Sequence, residues 1–266
     1  MHAVRLFFAF AKVSMLSQME YRGAYLLRTL GKISTFGSQY VVLAIMVNRF
    51  DGLGGWSAYE VLFMYAIGSL SFAVAGTFAT PINDIAPQIR SGEFDGMLVR
   101  PVNTMWLALC QKASAGYVAN YIMGVGVMVY AGSRLNINVT VLGIITLIIT
   151  IMGGVLIHMA VLIISGAVHF WLVQGSALSR ILLGDIKIFS NYPIHIFPAL
   201  IQITLTVALP YAFISYYPAA LFFNRTGETI FHPFVFYLSP LAGIICFGIA
   251  YLIWQKGINA YQSTGS

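Results

Sequence analysis

The chain has 266 residues, 59% of them hydrophobic and only 8% charged, whereas a soluble domain carries about 25% charged residues and has no core large enough for so much apolar surface. With a mean hydropathy of +0.84, it reads as a multi-pass membrane protein with no room for a soluble catalytic domain. The net charge of +6 is spread over several short segments without a basic face, which argues against nucleic acid as a partner.

In chain order, MHAVRLFFAFAKVSML pairs a basic start with an apolar stretch, but Lys12 interrupts it and no small-x-small cleavage site precedes SQMEYRG. It is therefore read as retained, not as a secretion signal. On a helix Arg5 and Lys12 fall on one side and Leu6, Phe10 and Val13 on another, which predicts an amphipathic helix on the membrane surface within residues 1–32. Crossing hydrocarbon takes roughly 20 apolar residues, and the uncharged runs predict six helices at about 33–50, 58–80, 104–131, 139–165, 197–220 and 232–254. The apolar residues come in unbroken runs without strand-like alternation, so the fold class is an all-α integral membrane domain spanning 1–266. After the fourth span, GAVHFWLVQGSALS, with Gly166, His169 and Gln174, reads as an interfacial stretch. Placing the N-terminus in the cytoplasm leaves only Arg49, Arg134 and Arg225 of the fourteen cations in outward loops. The positive-inside rule then puts both termini in the cytoplasm.

The chain has no G-x-x-x-x-G-K-[ST] phosphate loop; DGLGGWSAYE has the glycines without the lysine. Neither H-E-x-x-H nor G-x-S-x-G occurs, and Cys110 and Cys246 stand alone in predicted spans. His158 and His169 would be stacked about 16 Å apart on one helix, too far for one metal ion. The expectation is no metal and no cofactor bound by this chain, with His158 a polar contact in a substrate path or a hydrogen-bonded packing residue.

Two stretches stand out. RSGEFDGMLVRP gathers Arg90, Glu93, Asp95 and Arg100 between the second and third spans, in segment 81–103. On a continuous helix Phe94 and Leu98, four apart, share one face, and the segment is either a solvated loop or a docking helix. YPIHIFPALIQITLTVALPYAFISYYPAALFF puts Pro210 inside the fifth span, where it removes a helix hydrogen bond and predicts a kink. That kink is a hinge or a fixed bend, with Pro210, Tyr211, Tyr216, Tyr217 and Pro218 as the hinge or pathway candidates. Residues 221–231, which turn at Asn224–Gly227, lie flat as a surface loop or dip back into the outer leaflet.

SGEFDGMLVRP, Phe170–Trp171, YPIHIFP, LPYAFISYYPA and the tail WQKGINAYQSTGS, with the spacing of the spans, resemble the membrane subunit of ABC-2 type ATP-binding-cassette transporters, a prokaryotic six-span permease family. The resemblance implies an exporter half in the prokaryotic plasma (inner) membrane, paired with a second copy or a related permease. A separate cytoplasmic ABC ATPase subunit would hold ATP and Mg, and the chain itself would not be an enzyme. It further implies that Arg90, Ser91, Gly92, Glu93, Phe94, Asp95, Leu98, Arg100 and Pro101 belong to a coupling helix seated in the ATPase, with Phe94 and Leu98 as its apolar anchor, and that 221–231 is re-entrant. Other classes consistent with the residues are an intramembrane lipid-modifying enzyme, which needs convergent ionisable groups at membrane depth, and a non-transporting scaffold or sensor subunit.

Overall fold

The computed structural model describes residues 22–49, 52–83, 85–110, 115–135, 137, 140–172 and 181–261. Among them the fold is helical throughout, with no strand beyond an isolated bridge between Leu53 and Trp56. Most of the expected surface helix lies outside the described residues, and 22–32 run without a break into α1 (Arg22–Arg49) instead of stopping before a separate span.

α2 (Ala58–Asn83) begins at a capping box. Glu60 Oε2 accepts from the Ser57 amide at 2.7 Å, and the Ser57 hydroxyl accepts from the Glu60 amide at 3.4 Å. The next segment makes two short helices, α3 (Ala86–Ser91) and α4 (Asp95–Leu98), separated at Gly92, whose φ of 76° ends α3 in the left-handed conformation. Asn103 caps α5 (Thr104–Cys110), its Oδ1 accepting from the Met105 amide at 3.0 Å. A tight turn at Ala115–Tyr117 leads into α6 (Val118–Arg134), so the expected helix over 104–131 is made of two described pieces. α7 (Val141–Ala167) is capped by the Thr140 hydroxyl.

From Ile181 the chain advances in short turns: a wide π turn at Ile181–Ile186, then 3-10 turns at Lys187–Asn191 and Ile194–Ile196. α8 (Ala199–Ile203) passes into a second π turn, Thr204–Ala208. The expected kinked helix over 197–220 is broken outright at Pro210. Proline has no N–H to continue the ladder, and its ring drives the preceding residue out of the helical region, leaving Leu209 at φ −131° and ψ 89°. A 3-10 turn at Tyr211–Phe213 and α9 (Tyr216–Phe222) follow, and every residue from 211 to 220 is buried. Pro233–Leu238 then leads into α10 (Ser239–Ala260).

α7 is the central helix, packed between α2 and α10. Its seam with α10 is made by glycines: a Cβ added to Gly243 would lie 2.5 Å from the Gly153 carbonyl oxygen, and one added to Gly153 would lie 2.5 Å from the Ser239 carbonyl oxygen. Small residues let the backbones touch, which maximises dispersion contact where lipid gives helices no hydrophobic reason to associate. The stretches Ala58–Ser91, Val141–Phe170 and Pro233–Ala260 are long and apolar enough to cross a membrane; Ile33–Ile45 and Ala199–Ala208 are apolar but shorter. Apolar side chains such as Val41, Val125, Ile148 and Ile245 face outward. One buried cluster centres on Trp56, Tyr217 and Phe236, and the other on Phe94, Phe170 and Trp254.

Candidate functional site

At the Phe94 end, residues 86–103 form a tethered lip. Arg90, Ser91 and Glu93 are exposed, as are Leu98, Val99, Arg100 and Pro101, Val99 by 83%. Among the described residues, none of Arg90, Glu93 or Arg100 takes part in an ion pair. Phe94 behaves in the opposite way. It is wholly buried, its ring 5.1 Å from Phe170 and 5.2 Å from Tyr261 between centroids, and Phe170 in turn packs on Trp254. The shared outward face expected for Phe94 and Leu98 is therefore not formed. Gly92 interrupts the helix between Arg90 and Asp95, so Phe94 turns into the bundle and Leu98, 37% exposed, turns away from it. Asp95 lies beside the Tyr261 hydroxyl, whose pKa is pushed up by burial and then by that carboxylate.

The Trp56 end carries a network absent from the sequence reading. Arg225 donates from Nε to Glu60 Oε1 at 2.7 Å, from Nη2 to Glu60 Oε2 at 3.2 Å and from Nη1 to Glu228 Oε1 at 2.9 Å. Desolvation works against its charge, but the bonds and charges of Glu228 and Glu60 outweigh that and raise its pKa. Trp56 Nε1 donates to Glu228 Oε2 at 2.5 Å, and Tyr216 stacks on the indole at 5.4 Å. His195 closes the ring: its Nε2 lies 2.8 Å from the Gly54 carbonyl oxygen, and its Nδ1 lies 3.3 Å from the Tyr216 hydroxyl and 3.5 Å from Glu228 Oε2. Four chain segments are thus clamped together. The signals for it were the S-x-x-E of Ser57–Glu60 at the start of the predicted second span and Glu228, three residues from Arg225 in the outward segment 221–231.

The hinge and pathway candidates divide. Tyr211, Tyr216, Tyr217 and Pro218 are all buried, Tyr217 packing on Phe236 at 4.7 Å and bonding Thr206 through its hydroxyl at 2.8 Å. Pro210 is partly buried at the break. His158 is elsewhere, on α7 against Phe72 of α2 with centroids 5.3 Å apart. Cys110 and Cys246 are free thiols, and among the described residues no group of three or more His, Cys, Asp or Glu is placed to hold a metal ion.

No curated protein and no solved structure matches the chain. The family described as ABC-2 family transporter protein matches residues 33–265, from within α1 to beyond the end of α10. With a match over most of its length and, among the described residues, a helical fold with three helices able to cross a membrane, the chain belongs to the ABC-2 family of transporter proteins, as a membrane permease component.

Proposed function

We propose that this permease crosses the membrane near 33–50, 58–80, 104–131, 139–165 and 232–254 and once more between Ile181 and His195, with 197–220 leaving and returning to the Trp56 end where His195 and Tyr216 meet, that both termini lie in the cytoplasm of a prokaryote, and that it exports its substrate. It pairs with a second copy or a related permease, and a separate ABC ATPase binds ATP and Mg and drives it. The observation that carries this reading is the family match over residues 33–265. Supporting it, the lip at 86–103 leaves Arg90, Ser91, Glu93, Leu98, Arg100 and Pro101 exposed for the ATPase, while Gly92, Phe94 and Asp95 set its geometry. The clamp around Glu60 and Arg225 then closes the outer side, 221–231 forms its cover, and the break at Pro210, flanked by Tyr211, Tyr216, Tyr217 and Pro218, is the hinge.

Co-expression with the cognate ATPase tests this. The two subunits should co-purify, and proteoliposomes holding both should move substrate only with hydrolysable ATP. In a background lacking Cys110 and Cys246, single cysteines at Ser57, Ser133 and Thr226 should react with an impermeant thiol reagent added outside, and one at Ser91 should not. Labelling at Ser91 from outside would invert the topology, and no association with an ATPase would remove the transporter reading.

A further inference from the structure

Lys187 belongs with the cytoplasmic cations when loops are counted, but the fold puts it elsewhere. The turn Lys187–Asn191 packs on α2, and the Lys187 Nζ lies 3.3 Å from the centroid of the Phe72 ring. Phe72 sits near the middle of α2, about 21 Å of helical rise from the Ala58 end. The same ring meets His158, the centroids 5.3 Å apart. A cation has thus been carried to the middle of the longest apolar elements.

Among the described side chains nothing neutralises it. No carboxylate among the described side chains pairs with Lys187. His158 is 1% exposed, and neither ring nitrogen makes a hydrogen bond; the Gly154 carbonyl one turn back comes near the ring without forming a bond of proper geometry. An aromatic face offsets only part of the cost of holding an ammonium away from water, and buried imidazole nitrogens are normally satisfied. Lys187 is partly exposed, and the neighbouring Ile188 is open to the surface, so a ligand can reach the Lys187 side of the ring while His158 lies behind it.

We propose that Lys187 and His158, held on Phe72, bind the oxyanion head group of an amphiphile, a phosphate monoester or carboxylate with an apolar tail, which the transporter carries. The ammonium supplies charge and up to three donors, a neutral imidazole supplies one more, and Ile188 meets the tail. A cationic amphiphile finds no counter-charge among the described side chains and is repelled by the ammonium. The assignment deepens the transporter reading and rests on it, but binding to the permease alone needs no ATPase, so the two fail separately.

The test uses the full-length permease in a neutral maltoside detergent, titrated with decyl phosphate and read by 31P line broadening and thermal shift. Decanoate, inorganic phosphate and decyltrimethylammonium form the other arms. Decyl phosphate and decanoate should bind saturably; Lys187→Gln should weaken decyl phosphate about tenfold or more, and Lys187→Arg should stay much closer to the parent. His158→Phe, which keeps the ring contact and removes the donor, should weaken it by about threefold or more. Lys187→Met guards against misfolding: a permease relieved of a cation held away from water should melt no lower than the parent, whereas a purely structural cation–ring contact would make it melt lower. Equal binding by Lys187→Gln, or equal binding of decyltrimethylammonium, overturns the proposal. Inorganic phosphate binding as tightly as decyl phosphate overturns the amphiphile assignment.

Discussion

The two ends of the bundle use charge in opposite ways. At the Trp56 end Arg225, Glu60 and Glu228 spend their charges on one another, across 165 residues of sequence in the case of Arg225 and Glu60. At the Phe94 end Arg90, Glu93 and Arg100 carry charge that no ion pair within the described chain absorbs, on a lip held by the buried Phe94 ring with Ile89 and Met97 beside it. The first arrangement holds segments of one chain together; the second keeps its polar groups available for something else. The difference teaches that in a protein this poor in charge the fate of each ion pair separates closure from contact.

The sharpest way to break that contrast is to remove the ring. Phe94→Ala should cost the permease about 3–5 kcal/mol, the range for truncating a fully buried aromatic, seen as the largest fall in thermal midpoint of any variant here. An unchanged midpoint with lost ATPase binding would mean that Phe94 is an external anchor after all. Arg225→Ala comes next, at about 2–3 kcal/mol, less than for a fully buried pair because the guanidinium is 30% exposed. Arg225→Lys should recover part of the loss, since an ammonium cannot match the fork that serves two carboxylates, and added salt should shrink the gap between parent and Arg225→Ala.

Gly243→Val probes whether the same helix pair supports both ends. Pushing a side chain into the Gly153 backbone should cost about 1–3 kcal/mol, with loosened proteolytic protection at the Trp56 and Phe94 ends alike. Smallest in stability is Glu93→Lys: a midpoint within about 0.5 kcal/mol of the parent, as expected for an exposed residue without partners, but loss of the ATPase from the purified complex. A Glu93→Lys permease that unfolds early would show that the lip charges belong to the fold, and the contrast between the ends would disappear.

What was legible in the sequence follows the same division. Run length and lack of charge suffice where a helix is continuous, and the expected spans at 58–80, 139–165 and 232–254 correspond to helices able to cross a membrane. The expectation over 197–220 fails because hydropathy counts apolar side chains but not the missing N–H of Pro210, and π turns leave no signature in composition. The charged cluster at Arg90–Arg100 was visible as a departure from its surroundings. The direction of Phe94 was not, since it depends on the left-handed turn at Gly92 and on Phe170 and Tyr261 arriving from distant parts of the chain. Lys187 looked like one more loop cation because nothing local reports that its turn folds back onto α2.

The glycine seam between α7 and α10 has a mechanical meaning. Phe94 bears on Phe170, just past the end of α7, and through it on Trp254 of α10, so a push on the lip loads both helices at once. Where Gly153 meets Gly243 and Ser239, backbone rests on backbone with no side chain between them to compress. The two helices therefore form a stiff strut about 30 Å long, whose far end, at Ser239 and Phe236, abuts Tyr217 and the aromatic pile above Trp56. On the transporter reading proposed above, a force applied at one face of the bundle would reach the other through this strut, and Arg225 with its two carboxylates would be the catch it has to spring.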